Sequence, residues 1–207
     1  MLKIGIDFSL TSPGICINMQ DEYHFISLFD TSSVKDWEKS NKFETHRNLS
    51  TIIQTIPYRR ITQEGDYNLS EGLKMTNARI LAERIVIILS DIVKGDDVTI
   101  GIEGFSFGSK SSSYIDLVMY QTILRVRLIE EFGEVLVVLS PSHIKKSFTG
   151  KGNANKELMI KSFIESDDEK ILKNNFHKYI KEIYKDSIVV DKPIDDLVDS
   201  FAILKCL

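Results

Sequence analysis

Apolar positions along the chain follow strand and helix periods in turn, and the switches between them outline the elements. Residues 2–8 are β-rich and alternate, 9–14 carry Ser, Thr, Pro and Gly turn chemistry, 15–19 resume the strand pattern, and 23–29 continue it. Three consecutive antiparallel strands are expected there. Residues 76–93 place Ile80, Leu81, Ile85, Ile88, Leu89 and Ile92 close to helical spacing, and 98–103 read as a buried strand. A Gly/Ser-rich loop over 104–113 leads into a helix from about 114 to 132. The apolar run 135–139, stopped by Ser140-Pro141, has the form of a central parallel strand. Helical patterns follow over 155–165 and the Lys-rich 169–185, with a short extra strand at 188–190. Pro193 suits the first position of a last helix over 194–207.

Residues 30–75 break this regularity. They hold polar clusters, Trp37, an Ile-rich stretch at 49–56 and a loop with Arg59 and Arg60, and read as an insertion or lid with some helix. Residues 166–192 form a second, charged insertion. The order β-β-β-α-β-α-β-α with a terminal helix predicts an α/β fold: a five-stranded mixed sheet with helices on both faces. No repeat or linker divides the chain, so 1–207 is expected to be one domain.

Composition changes the picture modestly. With 43% hydrophobic and 27% charged residues, the chain has the balance of an ordinary soluble globular protein. No apolar run approaches the roughly 18 residues of a membrane span, and Asp7 stands where a signal peptide would be apolar. Cys16 and Cys206 lie at opposite ends, which disfavours a disulfide framework or zinc cluster. A reducing, cytoplasmic setting is the expectation, an infected bacterial cell included. The net charge of −4 argues against a nucleic-acid partner until its distribution is considered. Residues 141–163 carry five lysines (Lys145, Lys146, Lys151, Lys156, Lys161) against Glu157, a local charge of +4. Residues 191–199 carry four aspartates against Lys192, a local charge of −3. A basic segment followed by an acidic one suits a protein that holds phosphates and binds a divalent metal; two solvated faces would look the same.

Carboxylates fall at the ends of predicted core elements. Asp7 closes Ile4-Gly5-Ile6, Glu103 closes Ile100-Gly101-Ile102, and Asp196 and Asp199 stand three apart near the start of the last helix. Asp7 buried without a partner would cost several kcal/mol, and no cation stands near it in sequence. It either caps a loop, pairs with a distant lysine, or serves a site. Two strands ending in acids at a loop edge mark the usual place for a site in an α/β fold. At i, i+3 spacing Asp196 and Asp199 share a helix face, whereas Asp195 points about 100° away. Brought together, such groups cannot all ionise without cations, and hard oxygen ligands select Mg²⁺ or Mn²⁺.

In this order, Asp7 in IGIDFSLTSPGICI, Glu103 in IGIEGFSFGS and Asp196/Asp199 in DDLVDSFAI resemble the four-acid signature of the RuvC-type Holliday junction resolvases, a branch of the RNase H-like (retroviral-integrase) superfamily. The stretch from Ser140-Pro141 through Lys145 and Lys146 to Thr149-Gly150-Lys151-Gly152-Asn153-Ala154-Asn155-Lys156 is similar to the family's basic segment. The likeness covers about two-thirds of the chain. It implies a structure-specific DNA endonuclease that resolves four-way or branched DNA by paired phosphodiester hydrolysis. Asp7, Glu103, Asp196 and Asp199 would hold two Mg²⁺ ions (or Mn²⁺), and Lys156 would join them in catalysis, with Lys145 at the phosphate. Lys146, Lys151, Phe105 and Phe107 would contact DNA, and the chain would form a homodimer through 114–129. That segment is apolar on too many faces for one core contact, so it is either deeply buried or an interface.

The chain also departs from the pattern. Both insertions exceed what the family needs, and Ser106 stands where the family has an aromatic residue; the departures suit a viral or otherwise divergent member. Phe105 and Phe107 could stack on bases or belong to core or lid. The alternatives are a sibling nuclease acting on flap, RNA:DNA hybrid or linear DNA, and a silent nucleic-acid-binding scaffold. A sugar-kinase or actin-like ATP binder would need two lobes and more chain.

Overall fold

A computed structural model describes residues 1–33, 41–62, 66–105, 112–185 and 192–207. Phe107, Trp37 and the strand expected at 188–190 lie outside the described residues.

The middle of the sheet follows from three short sequences. β1 (Leu2–Asp7) pairs antiparallel with β2 (Gly14–Met19), which pairs antiparallel with β3 (Glu22–Asp30). On its other side β1 pairs parallel with β5 (Val98–Glu103), with Gly5 opposite Gly101 and Ile6 opposite Ile102. That register brings the acids after these isoleucines, Asp7 and Glu103, to the same end of neighbouring strands. Side chains alternate across the sheet, so Ile4, Ile6, Ile100 and Ile102 fall on one face and Gly5 and Gly101 on the other.

The isoleucine face is covered by α2 (Tyr67–Val93) and α3 (Ser112–Phe132), which pack on it and on each other through Leu81, Ile85, Leu89, Leu124 and Leu128. The glycine face receives α8 (Ile194–Lys205), which is itself covered by α4 (Pro141–Thr149) and α5 (Lys156–Ile164), with α7 (Asn175–Ile183) packed on α5. α8 rests almost on the sheet backbone. A Cβ on Gly5 would lie 2.1 Å from the Ser200 carbonyl oxygen, one on Gly14 2.4 Å from that of Asp196, and one on Gly101 2.9 Å from Ile203. Only glycine admits a helix at that distance.

Among the described residues the sheet has six strands in the order β4-β3-β2-β1-β5-β6, not the expected five. β4 (Gln54–Tyr58) lies within the stretch read as an insertion and runs parallel to β3 at the edge, where Pro57 withholds no inner hydrogen bond. A short α1 (Asn41–Leu49) precedes it. β6 (Leu136–Leu139) is the opposite edge rather than a central strand, with Val137 37% and Val138 50% exposed. Its apolar run reads as central because edge position leaves no trace in a four-residue strand. α2 starts at Tyr67 rather than 76 because the Asp66 side chain accepts the Asn68 N–H and caps a helix whose first turns are largely exposed. The Lys-rich stretch is two helices, α6 (Glu169–Lys173) and α7, separated at Asn174, whose side chain caps the second. Helix α3 is buried only along Tyr120, Gln121, Leu124 and Leu128; Ile115, Val126 and Ile129 remain exposed. Among the described residues no helix is long and apolar enough to cross a membrane.

Candidate active site

The carboxyl ends of β1 and β5 and the first turns of α8 meet on the glycine face. Asp7 is the register partner of Gly14, and the Asp196 backbone lies over that same glycine. Asp196 is therefore delivered beside Asp7 by backbone contact. Its buried carboxylate accepts the Ser12 hydroxyl in a short bond and the Ser9 hydroxyl at 3.3 Å, both from the β1–β2 turn. The Lys192 ammonium donates to its two oxygens at 3.2 and 3.1 Å. The supposed insertion steadies this turn: the Tyr58 hydroxyl of β4 donates to the Leu10 carbonyl at 2.6 Å.

Charge ties the acids together. Burial pushes the Asp7 carboxyl well above the aspartate range, and Asp196, Asp199 and Glu103 push it further, while Lys192 pulls it back. Burial also raises Glu103, against the pull of Lys145. Asp199 is raised to about 7, by burial and then by Glu103, Asp195 and Asp196, with Lys156 opposing. Asp196 is raised by burial, offset by Lys192, and raised again by Asp195. Glu103, Asp196 and Asp199 thus all lie within electrostatic reach of Asp7. Among the described residues, no three carboxylate, imidazole or thiol groups converge closely enough to cage an ion as their side chains stand.

The basic segment flanks this cluster. Leu139, the last residue of β6, is the register partner of Glu103, so α4 begins beside the end of β5. Ser140 and Pro141 start α4, a helix absent from the sequence expectation, and Gly150 ends it at φ 80°. Lys145 lies on α4 within electrostatic reach of Glu103; Lys146 and Lys151 are exposed. Lys156 opens α5 and is in short contact with Asp195. Burial lowers the proton affinity of Lys156, but Asp195, Asp196 and Asp199 together raise it by more. Asp195 is buried on the α5 side of α8, and its Oδ1 has no hydrogen-bond partner among the described residues. Phe105 lies half-buried beneath Arg125, whose guanidinium carbon is 4.3 Å from the ring centre. Arg125 and Gln121 each donate to the Glu103 carbonyl at 2.9 Å, fixing the end of β5 from α3.

Sequence reasoning missed Ser9, Ser12 and Lys192. The Lys192–Asp196 spacing of four was a usable signal. The serines were read only as turn residues.

No protein-family profile and no curated protein matches the chain. Among solved structures, that of Thermus thermophilus RuvC aligns over 99% of this chain and 92% of its own, with a TM-score of 0.50 at 14% identity. The fold is the RuvC fold. T. thermophilus RuvC in complex with Holliday junction substrate aligns over 99% and 91% (TM-score 0.45, 12% identity). The yeast mitochondrial Holliday junction resolvase Ydc2 aligns over 98% and 75% (TM-score 0.47, 15% identity). On the RuvC fold of this chain, Asp7 and Glu103 stand at the carboxyl ends of the parallel neighbours β1 and β5, and Asp196 and Asp199 in the first turns of α8.

Proposed function

We propose that the chain is a divalent-metal-dependent endonuclease that cuts four-way or branched DNA. The observation that carries this reading is that Glu103, Asp196 and Asp199, from two distant segments, lie close enough to Asp7 for each to raise its proton affinity. Without a cation such an arrangement is costly, and a cluster of oxygen donors fits hard divalent ions. Asp7, Glu103, Asp196 and Asp199 would hold two Mg²⁺ or Mn²⁺ ions. When bound, these supply an activated water and charge neutralisation at the phosphate.

The protein's own groups bind and orient the strand. Lys145, within electrostatic reach of Glu103, and Lys156, within reach of Asp199, would offset the charge that builds on the phosphoryl oxygens. Lys146 and Lys151, both exposed, extend the cationic surface to neighbouring phosphates. Arg125 and Gln121 hold Glu103 in place. The exposed Ile87, Ile115, Val126 and Ile129 on α2 and α3 support assembly as a two-fold dimer, which presents two identical sites to two strands.

The test is cleavage of a synthetic four-way junction beside linear duplex, flap and RNA:DNA hybrid with Mg²⁺, comparing wild type with Asp7→Asn. Symmetric nicks on the junction are expected, falling on the order of 10² to 10³-fold in the variant. Equal cutting of every substrate would redirect the reading to a general nuclease. Tight junction binding without any cleavage would identify a scaffold.

A further inference from the structure

Lys192 stands outside the basic segment and is the first described residue before α8, yet its ammonium points into the acids rather than into solvent. It donates to Asp196 Oδ1 at 3.2 Å and Oδ2 at 3.1 Å, and to the Ser12 hydroxyl at 3.4 Å. An i, i+4 pair on a helix surface contributes little. This one differs because its acceptor is 4% exposed and lies beside Asp7, whose proton affinity the same ammonium lowers. The lysine side chain is itself 40% exposed, so it can leave without opening the core.

We infer that Lys192 is a resident counter-ion of the acidic cluster, holding the cation position at Asp196 next to Asp7, so that a divalent ion binds only by displacing it. This rests on the metal-site reading above and adds to it a competitor built into the chain. The lysine neutralises the carboxylates while the site is empty and weakens divalent binding in proportion. Bidentate contact with Asp196 is incompatible with an ion on the same two oxygens, because ammonium and metal would repel across one ligand. Once displaced, the ammonium can stay near the site and meet an incoming phosphate together with the lysines assigned to it above. Lys156 occupies Asp195 instead and leaves the Asp196 oxygens free of itself, so the competition belongs to Lys192.

The experiment is Mn²⁺ binding by calorimetry to the full chain without DNA, comparing wild type, Lys192→Gln, Lys192→Arg, Asp7→Asn and Lys205→Gln. Lys205 pairs with Asp168 at the far end of α8 and controls for net charge. Lys192→Gln should bind Mn²⁺ about tenfold more tightly, while Lys192→Arg and Lys205→Gln stay near wild type. Metal-free Lys192→Gln should also melt lower than wild type, and Mn²⁺ should restore it. In unaltered protein, saturating Mn²⁺ should speed acylation of the Lys192 amine, read by mass spectrometry, and leave Lys205 unchanged; this decides the matter if Lys192→Gln does not fold. Equal Mn²⁺ affinity in wild type and Lys192→Gln, or an acylation rate indifferent to Mn²⁺, overturns the counter-ion role and leaves the metal site standing. Absence of Mn²⁺ binding in every variant, Asp7→Asn included, removes both.

Discussion

On one face of the sheet α2 and α3 meet the strands through branched aliphatic side chains; on the other α8 meets them through Gly5, Gly14 and Gly101. The first packing has many ways to be nearly right, since volume-conserving changes in an aliphatic core are absorbed by neighbours. The second has one, because backbone against backbone leaves nothing to rearrange. The acids that converge are carried by the rigid contact. Stability is shared by both faces, whereas the placement of Asp196 and Asp199 against Asp7 depends on one.

That contrast can be broken most severely at Gly5. Gly5→Ala would place its methyl carbon inside contact distance of Ser200 and Leu204, and we expect a loss of more than about 3 kcal/mol in urea unfolding, with cleavage abolished in whatever folds. Leu124→Ala, in the fully buried α3 position on the other face, should cost about 3 kcal/mol by cavity formation. Its cleavage per folded molecule should stay near wild type; equal damage to activity from both changes would erase the distinction.

The smallest effect is a pH slope. Asp199 titrates near 7 in the folded chain and near the ordinary aspartate value of about 4 when unfolded. The folded form therefore holds a proton that the unfolded form releases across that interval, and metal-free stability should fall as pH rises from about 4 to about 7. Asp7, Glu103 and Asp196 are shifted the same way. Asp168, held down to about 2, contributes stability that is lost only below about pH 4. Denaturant midpoints measured in EDTA across this range should show the decline, and Asp199→Asn should flatten it.

Much of this arrangement was legible in two tripeptides. Ile-Gly-Ile before Asp7 and before Glu103 states both the strand alternation and the small residues on one face, so β5 and the acid positions follow directly. β4 was not legible: Gln54–Tyr58 includes a proline and depends on pairing with β3, a tertiary fact that local pattern does not carry. α4 was legible after all, since Ser140, Pro141 and Gly150 supply its cap, first turn and stop. Asp195 marks the limit of a helical wheel. The angle from Asp196 was right, but α8 is covered on all sides, so a residue turned from the sheet meets α5 and Lys156 instead of water.

The joining of β1 to α8 has a consequence for synthesis. The ribosome releases the first strand nearly two hundred residues before the helix that must lie on it, and contacts of such separation form late. A nascent chain can bury the aliphatic face as soon as α3 emerges, yet Gly5 and Gly14 stay uncovered and Asp7 lacks the aspartates of α8 until that helix emerges in its turn. A chain made only as far as α5 thus has its basic segment but half of its acidic cluster, the other half withheld by the order of the chain.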